Sequence, residues 1–207
     1  MTTRWVRVLV LTSFILLCLK GQMAAQQGRA AVMALAGMMF PVQKTIEARA
    51  VTGFGLLLPL APRTRAGVEF LYSRLNSLGS GDGLGEGRLA VTPFLLFLQQ
   101  DLLSARFFKF HVAAGAGLVF SDFRGRFITI PEVTITQKIP TRPAVHLAAG
   151  VTFILTDRLV LFGQGGVLFC HATGQTIVRD MNFGQTSENF SVDLSSEQVL
   201  LGLAYYF

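Results

Sequence analysis

Eight long segments of alternating side chains, a lipid-like composition and the lack of any helix-length apolar run predict an all-β protein. The expected architecture is an eight-stranded antiparallel up-and-down transmembrane β-barrel. Of the 207 residues, 51% are hydrophobic and only 14% are charged, with a mean hydropathy of +0.51. Soluble domains carry about 25% charged residues. Disorder is excluded, because so apolar a chain more than offsets its ordering entropy. A spanning helix needs about 20 consecutive apolar residues. The longest run, Val8 to Leu19, has twelve and contains Thr12, Ser13 and Cys18. The next, Ala30 to Val42, is interrupted by Pro41. A chain that suits lipid but has no spanning helix can pair all its backbone polar groups there only by closing a sheet on itself.

The first segment reads as an export signal spanning residues 1–25, which leaves 26–207 as the barrel. Arg4 and Arg7 make a basic start, Val8–Leu19 the apolar stretch, and Ala24-Ala25 small residues for cleavage. Cleavage there removes Arg4, Arg7 and Lys20 and no acid, so the formal charge falls from +6 to +3. The basic balance is then no sign of nucleic-acid binding. It also removes Cys18, so Cys170 has no partner for an intramolecular disulfide. No cofactor or metal is expected.

Period-two alternation marks strands at about Arg29–Phe40, Ile46–Leu60, Thr64–Asn76, Gly87–Gln99, Phe107–Ser121, Pro143–Leu155, Arg158–His171 and Ser196–Phe207. A tilted membrane strand needs 9–11 residues, whereas globular strands average 5–6. Tight connections through Pro62-Arg63, Asp101 and Thr156-Asp157 alternate with longer polar ones, Ser77–Glu86, Asp122–Arg142 and Ala172–Ser195. Such alternation places both termini on the tight-turn side. In Phe107–Ser121, Phe108, Phe110, Val112, Ala114, Ala116, Leu118 and Phe120 oppose Lys109, His111, Ala113, Gly115, Gly117 and Val119. Large apolar side chains therefore face lipid, with small and polar ones inside. A soluble lipocalin-like barrel, the alternative, requires the reverse.

The last residues, Glu197-Gln198-Val199-Leu200-Leu201-Gly202-Leu203-Ala204-Tyr205-Tyr206-Phe207, carry apolar side chains at every second position up to a terminal aromatic. This resembles the final-strand signal of bacterial outer-membrane barrels, with Gly202, Leu203, Tyr205 and Phe207 as its assembly residues. Val91-Thr92-Pro93-Phe94-Leu95-Leu96 and Ala113-Ala114-Gly115-Ala116-Gly117 resemble strands of the small outer-membrane β-barrel domain family, of the outer-membrane protein A type. The resemblance implies an outer-membrane location, the barrel assembly machinery as a partner in biogenesis, and surrounding lipids that include lipopolysaccharide. A monomer is expected.

Inside so narrow a barrel, side chains fill the lumen. Register estimates that pair Leu60 with Thr64 and Asn76 with Gly87 put Glu69 beside Gly55 and Phe94, with Phe94 beside His111. Glu69, Lys109, His111 and Gln164 are thereby expected to converge near mid-barrel. A structural ion pair is the plainest role for them, since buried Glu69 calls for a cation. A gate on a narrow solute path and a proton relay through His111 and Glu69 are the functional alternatives. Arg49 and Arg88 either line a vestibule or are simply solvated.

Cys170-His171-Ala172-Thr173 invites comparison with outer-membrane lipid A deacylases, which use a His-x-Ser motif. Thr173 stands where the serine belongs, and Glu188 could orient His171 only through a fold of the following loop. The glycine-rich Ser77–Gly87 segment lacks calcium-loop and phosphate-loop spacing and reads as a surface loop. Phe127–Ile139 alternates around Pro131-Glu132 and predicts a hairpin above the membrane with an exposed edge. Arg124, Arg126, Lys138 and Arg142 at its base suit lipopolysaccharide phosphates. The leading function is that of a stable barrel that displays loops, without chemistry. A narrow small-solute channel comes second and lipid A modification third.

Overall fold

The computed structural model describes residues 28–79, 84–105, 107–125, 133–180 and 184–207. The proposed leader 1–25, Asp82, Arg126 and the turn at Pro131-Glu132 lie outside the described residues. Eleven strands follow in order: β1 (Ala31–Pro41), β2 (Arg49–Ala61), β3 (Thr64–Leu78), β4 (Glu86–Ser104), β5 (Phe108–Gly125), β6 (Val133–Lys138), β7 (Arg142–Ile154), β8 (Leu159–Phe169), β9 (His171–Asp180), β10 (Gly184–Asp193) and β11 (Ser196–Tyr206). Eight of them close an antiparallel barrel in the order β1-β11-β8-β7-β5-β4-β3-β2, so each expected strand is present and first meets last.

The ladder itself measures the stagger. From His111 the paired residues run Gly150, Gln164, Leu200, Gly37, Val51, Ser73 and Val91, and return to β5 at Ser121. The circuit closes ten residues further along the strand (111 to 121), the offset that comes with tilted strands in a barrel. Pro93 sits inside β4, where a residue without an N–H is normally excluded. The β3–β4 ladder skips a step there, from Phe70↔Phe94 to Ser73↔Val91.

The start of β1, the end of β11, the turns at 62–63 and 155–158 and the β4–β5 connection share one end, here the terminal end. The outer wall is apolar. Exposed Phe40, Tyr72, Phe120 and Phe169 ring the loop end, and exposed Phe107, Phe108, Phe110, Tyr205 and Phe207 ring the terminal end. At 3.4 Å per residue and a tilt of about 40°, Phe110 to Phe120 spans about 26 Å along the axis, close to the ~25 Å apolar band of such barrels.

The interior departs from expectation. Small and polar residues do line it on β5 and β7, but Leu71, Leu89, Leu95, Leu168, Leu200, Val51, Val91, Val119 and Met39 are fully buried inside. Apolar side chains thus occupy both faces of much of the wall, because a narrow lumen must be packed and aliphatic groups pack without needing hydrogen-bond partners.

Two further elements were misplaced in the sequence reading. β4 continues five residues past its expected end at Gln99, through a bulge between Asp101 and Leu103. The first half of the hairpin expected at 127–139 lies outside the described residues, and its second half, 133–138, is an edge strand. It pairs along β9, and β10-β9-β6 form a separate three-stranded sheet at the loop end. β9 and β10 lie where a loop was expected. Most of β10 is exposed on both faces, so no apolar alternation announces it.

Candidate functional site

The interior carries its polar groups in layers, and the lowest lies at the terminal end. Asp101 follows Leu95, Phe97 and Gln99 on the inner face of β4 and enters the lumen just before the bulge, where it is only 2% exposed. Arg65 on β3 grips it through Nη2–Oδ2 at 3.3 Å and Nη1–Oδ1 at 3.4 Å, and Lys109 Nζ stands 3.6 Å from Oδ2. Gln99 Nε2 donates to Oδ1 (3.4 Å). Arg65 also lies over the Tyr206 ring, 5.8 Å from its centroid. Oδ2 meets its two cations at ion-pair distance without hydrogen-bond alignment. Two cations on one buried carboxylate keep the layer net positive.

The second layer holds three of the four residues expected to converge. Glu69, His111 and Gln164 line one enclosed cavity of about 20 Å³, together with Thr152, Phe97 and Phe162 among others. That is room for about one water molecule. Gln164 hydrogen-bonds Glu69, while Oε1 of Glu69 has no partner. His111 Nδ1 is 3.3 Å from Thr152 Oγ1. Gly150 lies between His111 and Gln164 in the ladder, and a Cβ there would come within 2.7 Å of His111 Nε2 and 2.9 Å of Gln164 Cβ. Glycine is what lets both polar side chains enter the same level.

Lys109 does not join them. It pairs with Ser104, and His111 with Asp101, whereas the sequence estimate set His111 beside Phe94. Ending β4 too early displaced the whole β4–β5 register. Glu69 faces Gly55, as estimated, but Leu95 rather than Phe94, a shift of one residue. The cation expected opposite Glu69 is therefore absent among the described residues, and an amide takes its place. Arg65, Asp101 and Tyr206 were missed, although Asp101 standing alone in an apolar stretch was the signal available.

Further buried polar groups, His146, Gln198, Ser196 and Ser77, lie among the fully buried aliphatic side chains towards the loop end. Both ring nitrogens of His146 and both amide atoms of Gln198 find no partner among the described residues. Buried polar atoms of this kind are where internal waters sit in folded proteins.

The remaining candidates lie at the surface. Arg49 pairs with Glu47 at 3.1 Å, and Asn76 Nδ2 donates to the same carboxylate oxygen at 2.9 Å. Arg88 faces Arg124 across β4–β5. His171 opens β9, and its Nε2 lies 2.9 Å from Ser191 Oγ rather than beside Thr173. Glu188 faces Thr176, five residues along from the His171–Asp193 pair and so about 17 Å away. It cannot orient the imidazole. Gly202 packs beneath the Phe162 ring, which lies 2.4 Å from where its Cβ would stand, while Leu203, Tyr205 and Phe207 point outward.

A closed eight-stranded sheet with an apolar outer wall and a side-chain-filled interior is the fold of small transmembrane β-barrels. The chain resembles solved outer-membrane barrels of that class. Outer membrane protein OprG from Pseudomonas aeruginosa superposes with a TM-score of 0.59 at 13% identity, over 87% of this chain and 96% of that one. Neisserial surface protein A gives 0.55 at 11%, covering 86% and 97%. Outer membrane protein W from Escherichia coli gives 0.51 at 14%, covering 87% and 98%. No protein-family profile matches the sequence, and no curated protein matches it significantly.

Proposed function

We propose that the protein is an exported outer-membrane barrel that closes its own lumen and acts through what it displays at the loop end, outside the cell. One observation carries this reading. Between the Arg65–Asp101–Lys109 layer and the loop end, the enclosed cavity beside Glu69 holds about 20 Å³, and fully buried leucines and valines lie above it. A solute path needs continuous water-filled space, whereas here fully buried aliphatic side chains occupy the lumen towards the loop end. At the loop end the chain instead invests three strands in a sheet outside the barrel wall. The paired termini and tight turns at the opposite end accord with the usual periplasmic placement.

Planar-bilayer recording on the refolded mature chain tests the reading. The expected record is flat for wild type, for Glu69→Ala and for Lys109→Ala. Defined unitary steps in wild type that change with either substitution would instead establish the narrow channel. Surface labelling of intact cells supplies the second arm, with a tag inserted between β9 and β10 expected to be accessible without permeabilisation.

A further inference from the structure

We propose that the cleft between the barrel rim and the three-stranded sheet binds a phosphorylated saccharide. The cleft has a volume of about 620 Å³, within the range of small-ligand sites. Ser121 on β5, Lys138 at the end of β6, Arg142 at the start of β7, Thr173 and Gln175 on β9, and Asn189 on β10 contribute to its walls. Five separate elements of the chain meet there.

Arg142 is the decisive group. Its Nη2 donates to Thr173 O at 3.3 Å, which ties the barrel rim to β9. Its Nε is buried and has no acceptor among the described residues. A guanidinium N–H shut away from water without an acceptor is expensive, and an anion in the cleft supplies one as a charge-assisted bond. Lys138 adds a second cation. Asp122 also borders the cleft, but Arg124 Nε holds it at 3.4 Å, so the cleft keeps a positive balance.

The other polar groups suit sugar hydroxyls. Gln175 and Asn189 offer amides that both donate and accept, and Ser121 and Thr173 offer hydroxyls. The walls are held in place from two sides. Gln137 accepts from Gly85 N at 2.9 Å and donates to Thr176 Oγ1 at 3.0 Å, bridging β6 to β9 and to the chain before β4. The cleft also lies just above Leu118, Phe120 and Val145, the last exposed apolar residues of β5 and β7 on that side. That is the level of lipid headgroups, so the sugar phosphate comes either from solution or from a lipid that carries one.

The test uses the refolded mature chain and separates the two sources. Titration calorimetry in lauryldimethylamine oxide compares glucosamine 6-phosphate with glucosamine, and nanodiscs compare lipid A with its dephosphorylated form. The phosphorylated probe is expected to bind at least tenfold tighter in one pair or in both. Preference in the first pair identifies a soluble ligand, and preference in the second alone identifies a lipid headgroup. Arg142→Gln is expected to weaken that binding at least tenfold and Lys138→Gln at least threefold, while Arg74→Gln on the outer wall leaves it unchanged. Lys138 is exposed, so its substitution preserves the fold and keeps the test decisive if Arg142→Gln misfolds. Equal binding of phosphorylated and unphosphorylated probes in both pairs overturns the proposal. So does equal weakening by Arg74→Gln, which would mean charge attraction without a site. None of this depends on whether the lumen conducts.

Discussion

Replacing Asp101 with asparagine keeps shape and volume but removes the anion that two cations share. At 3.3 and 3.6 Å, with an effective dielectric constant near 20, each ion pair represents about 5 kcal/mol of gross attraction. Desolvation offsets most of it. What the substitution exposes is the other term: Arg65, its side chain 12% exposed, and Lys109, 27% exposed, are left facing each other across a neutral amide. Removing one member of a buried pair costs about 3–5 kcal/mol, and the partial exposure of Lys109 argues for the lower figure, ~3 kcal/mol. With a urea m-value of about 1–3 kcal/mol/M, the unfolding midpoint falls by about 1–3 M. The single tryptophan, Trp5, lies in the proposed leader, so unfolding of the mature barrel is followed by far-ultraviolet circular dichroism or by gel mobility of unheated samples. Lys109→Met, which leaves Arg65 on Asp101, should cost about 1 kcal/mol, and Asp101→Asn combined with Arg65→Met should recover part of the loss. An Asp101→Asn midpoint within 0.3 M of wild type would refute the reasoning and mark the cluster as solvated ornament.

Other consequences are as specific. Glu69→Gln should be neutral or stabilising by about 1 kcal/mol in the same unfolding assay, because no cation faces the carboxylate and the amide loses no ion pair; a loss above 1 kcal/mol would reveal a partner. Gly150→Val should cost about 1–3 kcal/mol through collision with the Gly163 carbonyl, His111 and Gln164, and His111→Ala in the same chain should restore only part of it, because the backbone clash remains. The Glu47 carboxyl lies below its ordinary range, chiefly through the hydrogen bond from Asn76 and then that from Arg49. A lowered folded-state value means the contribution is present above the unfolded value and is lost as pH falls through the folded one. Protection of the amides in residues 42–48, corrected for the intrinsic pH dependence of exchange, should therefore fall on acidification below the usual glutamate range, and Glu47→Gln should abolish that dependence. Deleting Phe207 should lower the folded fraction in cells severalfold while leaving refolding in detergent intact, as expected of a signal read by an assembly machine rather than a packing residue.

The barrel was legible because lipid imposes a strict condition on the outer face. Strand after strand had to place Phe, Leu or Val at alternate positions, and β5, β7 and β11 show that pattern without interruption. The inner face obeys a weaker rule, since it must only be filled. Leu71, Leu89 and Leu200 satisfy it as well as a glycine or histidine would, so the expectation of a small and polar interior held from His111 to Gly117 on β5 and along β7 and gave way to Val119 and Phe123 on β5 and to leucines on other strands. Site geometry depended on register, which turn placement controls. Gln99-Gln100-Asp101 looked like a turn, yet its alternate residues enter the lumen and the strand continues to Ser104. That error carried Lys109 away from Glu69 and hid the Arg65–Asp101 pair. The sheet of β6, β9 and β10 escaped for a different reason. Solvent touches both faces of β10, and its Gln, Thr, Ser, Glu and Asn residues leave no period-two trace of the backbone pairing that holds it.

Nitroxide scanning of β11 tests the central claim most directly. Single cysteines placed at each position from 198 to 203, in a Cys170→Ala background and in lipid vesicles, report accessibility to oxygen and to a water-soluble nickel complex. Labels at Val199, Leu201 and Leu203 should meet oxygen from the bilayer, and those at Gln198, Leu200 and Gly202 should meet neither reagent. Uniform access to nickel along the strand, or oxygen access without alternation, would contradict a lipid-facing wall around a packed interior.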